Sequence, residues 1–228
     1  MNVDLGHFFS KYEALVAQVD AAVHTVTQQY ASEVRCRRGC SDCCHALFDV
    51  SLVEAMYINA HFSELSETRR NEILIEADKA DRKAQIIKKK AYHDISTDPR
   101  ADVLTQAAKE RIRCPLLDVN NECSLYRWRP LTCRIYGIPM EIGGKSHTCG
   151  LSGFEPGRAY PSIKMERIQD QLVSLSNQML ATIGSSYQDF QFMHVPVSTA
   201  LLTVYSHDFF GVDKQAESVG TEAGAEDA

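Results

Sequence analysis

The sequence lacks the features of a membrane-spanning or secreted protein. No run of about 18 consecutive apolar residues occurs, so we expect no membrane span and no membrane partner. Residues 1–16 mix Asp4, Lys11 and Glu13 with apolar side chains, whereas a secretory signal has a basic start and an unbroken apolar core. These absences predict a cytoplasmic protein, and in the cytoplasm thiols stay reduced and disulfides are rare.

Positive charge is also scarce. The formal charge is −6 at pH 7, whereas a nucleic-acid-binding protein presents a basic face to the phosphates. The densest basic run, 88–90, follows many acids on the same predicted helix, so we interpret it as a solvated helix face. We therefore expect no nucleic-acid partner. The sequence also lacks a phosphate-binding loop, a nucleophile elbow and paired carboxylates, so it indicates no reaction class.

Apolar residues recur every three or four positions in three long segments, which is the pattern of an amphipathic helix. The segments are 7–34, 67–91 and 162–183, and Gly184 suits the end of the third helix. These long helices account for most of the predicted regular structure.

Local signals predict three further helices. Ser51 and Glu54 form a capping box, in which the two side chains satisfy free N–H groups at the start of a helix. Asp98 followed by proline predicts another helix start, and that helix is expected to end near Ile112. A short helix is expected after Pro196.

Residues 113–161 differ from the helical segments. They contain four cysteines and most of the prolines, which favour loops and short strands. Because this segment has little apolar material, we expect metal binding to organise it. The chain beyond Gly211 is small and acidic, as disordered segments are. We predict a mostly α fold: one helical domain over 1–211, with an irregular cysteine-rich loop and short-strand region forming a metal site, and a disordered acidic tail over 212–228.

The cysteines are crowded into two segments. Four fall within the nine residues 36–44 and four lie between 114 and 149, with none between 45 and 113. Zinc and iron prefer thiolate ligands, so we predict that all of these cysteines are metal ligands. We also expect the two groups to meet, because a helical hairpin between them brings its own ends together. The predicted ligands are Cys36, Cys40, Cys43, Cys44, Cys114, Cys123, Cys133 and Cys149.

The segment 36–44 has the local chemistry of a chelating turn. Gly39 permits backbone angles that other residues resist, so Cys40 and Cys43 can approach one metal as a pair. Cys43 and Cys44 are adjacent, and neighbouring side chains tend to point apart. They could bind two metals or two irons of one cluster, or one of them could lie outside the coordination shell. The four strongest candidates are Cys40, Cys43, Cys114 and Cys133.

Histidines and arginines surround the cysteines. His45 and His147 lie beside cysteines and could ligate, although a surface or capping imidazole is the commoner role for such residues. Seven arginines lie within a few residues of a cysteine, and guanidinium groups would offset thiolate charge by donating to sulfur or to nearby carbonyls. These arginines are Arg35, Arg37, Arg38, Arg113, Arg127, Arg129 and Arg134.

Four ordered motifs carry a family resemblance. They are CRRGCSDCC at 36–44, VEA at 53–55, CPLL at 114–117 and CSLYRWRPLTCR at 123–134. Together they resemble the YkgJ-type cysteine-cluster family, CxxCxxCC, over residues 33–150. The first gap here has three residues, whereas the family's name has two. The resemblance implies chelation of zinc or iron. Flagellin lysine methylases are similar in this domain and are associated with an iron–sulfur cluster.

Three classes of function fit these observations. The first is a metal-binding protein whose cysteines hold an iron–sulfur cluster or zinc. The second is an enzyme, since the spacing of Cys36, Cys40 and Cys43 is that of radical S-adenosylmethionine sites and the resemblance admits an iron–sulfur-dependent methyltransferase. The third is metal storage or delivery, which needs exchangeable ligands. The sequence leaves all three open.

Overall fold

The computed structural model describes residues 4–98 and 109–212. Those residues form six α-helices: α1 (Gly6–Gln29), α2 (Leu52–Ser63), α3 (Glu67–Thr97), α4 (Leu131–Ile135), α5 (Met165–Ile183) and α6 (Val197–Leu202). Five short strands accompany them: β1 (Asp49–Ser51), β2 (Met140–Ile142), β3 (Lys145–His147), β4 (Ile163–Lys164) and β5 (His194–Pro196). Short 3₁₀ helices lie at Cys43–His45, Tyr126–Trp128 and Gln188–Phe192. The described chain is mostly helical, as the sequence predicts.

The main core lies where α1, α2, α4 and α5 meet. Tyr12, Leu52, Leu131 and Met179 contribute one large side chain from each of these helices, and none of them is more than 1% exposed. The apolar side chains of α1 and α5 are spaced at three or four residues, so packing removes a continuous stripe of each helix from water. The short helix α4, which carries Cys133, is thereby fixed to the centre of the fold.

A second apolar cluster lies on the other side of α2. Ile58 of α2 packs there with Ile73 of α3 and Ala200 of α6. Leu116 and Leu125, which flank cysteines in the loop region, are buried in the same cluster. The loop region therefore brings its own core residues, and the expectation that it has too little apolar material to organise itself is wrong.

The strands are short and tie chain segments together. β2 and β3 form a hairpin through Gly143 and Gly144, whose φ angles of +56° and +71° favour glycine. β4 joins β2 in parallel, and β1 pairs with β5 in antiparallel fashion. The hairpin delivers the chain to Cys149, directly after β3.

The end of α1 differs from the prediction, which extended this helix to residue 34. The helix stops at Gln29. The ring of Tyr30 packs against Tyr160 and Phe154, with ring centroids 5.3 and 6.1 Å apart. The carbonyl of Glu33 accepts a hydrogen bond of 2.7 Å from the N–H of Gly153. These tertiary contacts turn the chain out of the helix and direct it towards the cysteine-rich loops.

The other helix boundaries agree with the predictions to different degrees. The capping box of Ser51 and Glu54 opens α2, and Gly184, at φ +75°, ends α5. α3 continues past residue 91 to Thr97. Most of the helix predicted from Asp98 lies outside the described residues; Lys109 is still helical, and Arg111 already pairs with Ala46 in a β-bridge, so the helix ends shortly before the predicted end near Ile112.

Two expectations concern whole segments. Residues 213–228, which contain nearly all of the predicted acidic tail, lie outside the described part of the chain. Within 4–98 and 109–212, no helix has both the length and the apolar character that crossing a bilayer requires.

Candidate metal centre

The first cysteine segment is a chain of tight turns after α1. Gly39 has a φ of +85°, in the region that favours glycine, and the N–H of Cys40 donates to the carbonyl of Arg37 at 2.9 Å. The N–H of Cys44 donates to the carbonyl of Ser41 at 3.0 Å and enters the 3₁₀ helix Cys43–His45. The tight turn at Gly39 that the sequence predicts is therefore present.

Backbone pairing holds the second cysteine segment against the first. Arg111 and Ala46 form an isolated antiparallel bridge. Along the same pairing, the N–H of Cys114 donates to the carbonyl of Cys44 at 2.6 Å. Cys114 is therefore fixed beside Cys44, although 69 residues separate the two cysteines in the sequence.

A tight hairpin then places Cys123 beside Cys114. Leu117 and Cys123 form an antiparallel bridge. The side chain of Asp118 closes the turn by accepting the N–H groups of Asn120 and Glu122, each at 2.8 Å. The Asp118 side chain thus satisfies backbone donors that the turn would otherwise leave unpaired.

A buried glutamate fixes the helix that carries Cys133. Glu54 is 4% exposed, and its Oε1 accepts the N–H of Leu131 at 3.0 Å and the hydroxyl of Tyr12 at 3.3 Å. Its Oε2 accepts the N–H and the hydroxyl of Ser51 at 3.0 and 2.9 Å. One carboxyl group thereby joins α1, the start of α2 and the first residue of α4, which aligns Cys133 with the turn at 43–45.

The thiols of the two segments contact one another directly. The thiols of Cys44 and Cys133 hydrogen-bond to the sulfur of Cys43, and this lowers the pKa of Cys43 well below that of an ordinary thiol. The same contacts, followed by burial, raise the pKa values of Cys44 and Cys133. Arg129 adds a positive charge that further favours the thiolate of Cys43. The two cysteine groups therefore meet at Cys43, as the sequence analysis expected.

Three cysteines of the second group share a local arrangement that the sequence analysis missed. In each, the residue two positions further on is a leucine whose backbone N–H favours the thiolate, and at Cys149 this N–H donates to the sulfur at 3.4 Å. Burial raises the pKa of all three thiols, to about 12 for Cys114, while the N–H groups oppose this shift by favouring the thiolate. The pairs are Cys114–Leu116, Cys123–Leu125 and Cys149–Leu151. The repeated Cys-x-Leu spacing was the available sequence signal.

An open cleft of about 460 Å³ lies at the outer side of the cysteine region. Cys36, Cys40, Cys43 and Cys149 line it, together with Asp42. The thiol of Cys149 donates to Oδ2 of Asp42 at 3.5 Å, and Arg111 forms an ion pair with the same carboxylate. Four of the eight cysteines are therefore reachable from solvent through one opening.

The neighbouring histidines lie differently with respect to the cleft. Nδ1 of His45 lies 3.0 Å from the carbonyl of Ser41, and the residue lines the cleft. His147 is exposed on β3 and does not line the cleft. Of the two, His45 therefore lies at the cysteines in space as well as in sequence.

Four of the seven arginines hold loops together. Arg38 makes a two-pronged ion pair with Glu122, at 2.8 and 2.9 Å, which links the two cysteine segments at the surface. The other three donate to backbone carbonyls, which is one of the two expected modes; they are Arg113, Arg129 and Arg134.

Comparison with protein families identifies the domain. The family model CxxCxxCC, described as a "Putative zinc- or iron-chelating domain", matches residues 35–150. The chain belongs to this family. No curated protein and no solved structure matched the chain significantly. The matched range begins just before Cys36 and ends just after Cys149, so it contains every cysteine of the chain.

The thiol side chains are chemically suited to the metals in the family's description, but they do not converge on one point. Sulfur-only donor sets suit both zinc and iron–sulfur clusters. Within residues 4–98 and 109–212, however, no three His, Cys, Asp or Glu side chains are arranged to hold one ion as they stand. All eight cysteines are free thiols, so none is withdrawn into a disulfide.

Proposed function

We propose that this protein binds a thiophilic metal through its clustered cysteines, as an iron–sulfur cluster or as zinc. The proposed ligands are the eight cysteines named above. The observation that carries the proposal is the backbone hydrogen bond of 2.6 Å from the N–H of Cys114 to the carbonyl of Cys44, because it holds cysteines from segments far apart in the sequence side by side. Two chain segments that bring free thiols next to one another have the main requirement of a thiolate metal site.

The surrounding backbone supports the proposal. Leu116 and Leu125 are 2% and 0% exposed, and their backbone N–H groups favour the thiolates of Cys114 and Cys123. Such N–H groups also tune the charge of metal-bound sulfur.

The test is anaerobic purification of the full chain, followed by measurement of iron, zinc and acid-labile sulfide and by visible absorption spectroscopy. Iron with sulfide and a brown colour identifies an iron–sulfur cluster, and zinc in a colourless protein identifies a zinc site. A variant with serine at Cys43, Cys44 and Cys133 should lose this metal, whereas replacing the remote Ser174 by alanine should not. Wild-type protein that carries neither metal, and takes up neither after reduction, would refute the proposal.

A further inference from the structure

The eight cysteines fall into two equal groups according to whether they line the cleft. Cys36, Cys40, Cys43 and Cys149 line it, and we call these the outer group. Cys44, Cys114, Cys123 and Cys133 do not line it, and we call these the inner group. Adjacent Cys43 and Cys44 thus belong to different groups.

Geometric contacts of the cysteines divide in the same way. In the outer group, the thiol of Cys149 contacts Asp42, which also lines the cleft. In the inner group, the N–H of Cys114 donates to the carbonyl of Cys44 at 2.6 Å. Cys43 lines the cleft and directly precedes Cys44 in the chain, so it lies where the two groups meet.

The two groups also differ in how they are built into the fold. The inner cysteines are held by the Cys44–Cys114 backbone pairing, by the buried leucines and by α4. The outer group depends on surface turns, and Cys36 is exposed. Closed thiolate sites are typical of structural metals, whereas sites that take up other ligands keep a coordination position open. The outer group therefore combines metal-binding chemistry with access.

We infer that the chain has two four-thiol sites, an inner one that retains its metal and an outer one that exchanges a thiophilic metal, zinc or iron, through the cleft. This inference rests on the proposed function and divides its ligand set. The carboxylate of Asp42, which lines the cleft, forms an ion pair with Arg111 at 2.5 Å and contacts the thiol of Cys149 at 3.5 Å, so it fixes the position of an outer thiol.

Two variants perturb the outer group alone. One is the double substitution Cys36→Ser with Cys149→Ser. The other is Gly137→Ala, whose added methyl would lie 2.5 Å from Cβ and 3.1 Å from Sγ of Cys36, so it displaces this thiol without removing it. Gly150→Ala is the matched control, because nothing lies within 4 Å of its added methyl and Gly150 is next to Cys149. The inner group is perturbed by Cys114→Ser with Cys123→Ser.

The experiment measures metal release from anaerobically purified full-length protein after addition of excess EDTA, together with the thermal unfolding temperature. Wild type should release about half its metal rapidly and the rest only on unfolding. Both outer variants should lack the rapidly released metal, keep the slowly released metal and unfold near the wild-type temperature. The control Gly150→Ala should also unfold near that temperature, and it should keep both the rapidly and the slowly released metal. The inner variant should lose the slow fraction and unfold at a clearly lower temperature.

The outcomes separate this inference from the proposed function. Metal-loaded wild type that releases everything in one phase, or outer variants that lose all metal, would overturn the division and leave one common site. Wild type that carries no metal and takes none up would instead overturn the proposed function itself.

Discussion

Glu54 offers the sharpest test of how the fold positions the cysteines. Its buried carboxyl group accepts four hydrogen bonds, two from Ser51, one from Tyr12 and one from the N–H of Leu131 at the start of α4. Replacing Glu54 by alanine removes every one of these acceptors. α4 would then lose its polar link to α1 and α2, and Cys133 would lose its alignment with Cys43.

The expected destabilisation follows from the buried donors. Leaving a buried donor unsatisfied costs about 1–3 kcal/mol, and Glu54→Ala leaves the N–H groups of Leu131 and Ser51 and the hydroxyl of Tyr12 without this partner. Water entering the vacated space offsets part of the cost. We expect Glu54→Ala to lower the free energy of unfolding by about 3–5 kcal/mol, which is at the upper end for single substitutions. Glu54→Gln keeps one acceptor oxygen, so it should cost about half as much.

Urea unfolding followed by circular dichroism measures this loss, and metal content measured on the same samples reports the alignment of Cys133. Glu13→Ala is the matched control, because Glu13 is exposed and makes one hydrogen bond, to the hydroxyl of Tyr57 at 2.7 Å. Glu13→Ala should lower the free energy of unfolding by about 1 kcal/mol or less. If Glu54→Ala unfolds as the control does and keeps its full metal content, the assigned role of Glu54 is wrong.

Three further predictions use other parts of the structure. Arg134→Ala removes a side chain that is 7% exposed and binds Asp20 and two loop carbonyls. It should lower the free energy of unfolding, measured in urea, by about 2–3 kcal/mol. Arg134→Lys should lose less of this free energy but not reach the wild-type value, because lysine lacks the planar guanidinium fork. Leu151→Pro removes the N–H that reaches Cys149 at 3.4 Å and should weaken zinc binding in a competition titration, whereas Leu151→Ala, which keeps the N–H, should not. Truncation after Val212 should leave the unfolding temperature unchanged. Truncation after His207 removes Phe210, which is 0% exposed, so it should lower the free energy of unfolding by about 3–5 kcal/mol and the unfolding temperature with it.

The helices could be predicted from the sequence because their signals are local. The apolar spacing of α1 and α5 and the Ser51–Glu54 pair each act within a few residues. The end of α1 could not be predicted in the same way. Tyr30 continues the apolar pattern, but its ring packs on Phe154 and Tyr160, more than a hundred residues away in the chain. Tertiary contacts of this kind override local periodicity.

The candidate site shows the same division. Clustering in the sequence was enough to predict that the two cysteine segments meet, and the Cys-x-Leu repeat was visible in the sequence. The choice of Cys40, Cys43, Cys114 and Cys133 as a set stays a prediction. Of these four, Cys40 and Cys43 line the cleft, whereas Cys114 and Cys133 do not. Nor could the sequence show that Glu54, which it identifies as a helix cap, also holds α4.

X-ray absorption spectroscopy of the anaerobically purified protein tests the central claim most directly, because it reports the atoms bound to the metal. For zinc, the account predicts a first shell of sulfur alone at about 2.3 Å; for iron, it predicts a sulfur-only shell together with acid-labile sulfide. The sulfur shell should be lost in a variant whose eight cysteines are replaced by serine. A first shell of nitrogen and oxygen in the wild-type protein, with no sulfur, would contradict metal binding by the clustered cysteines.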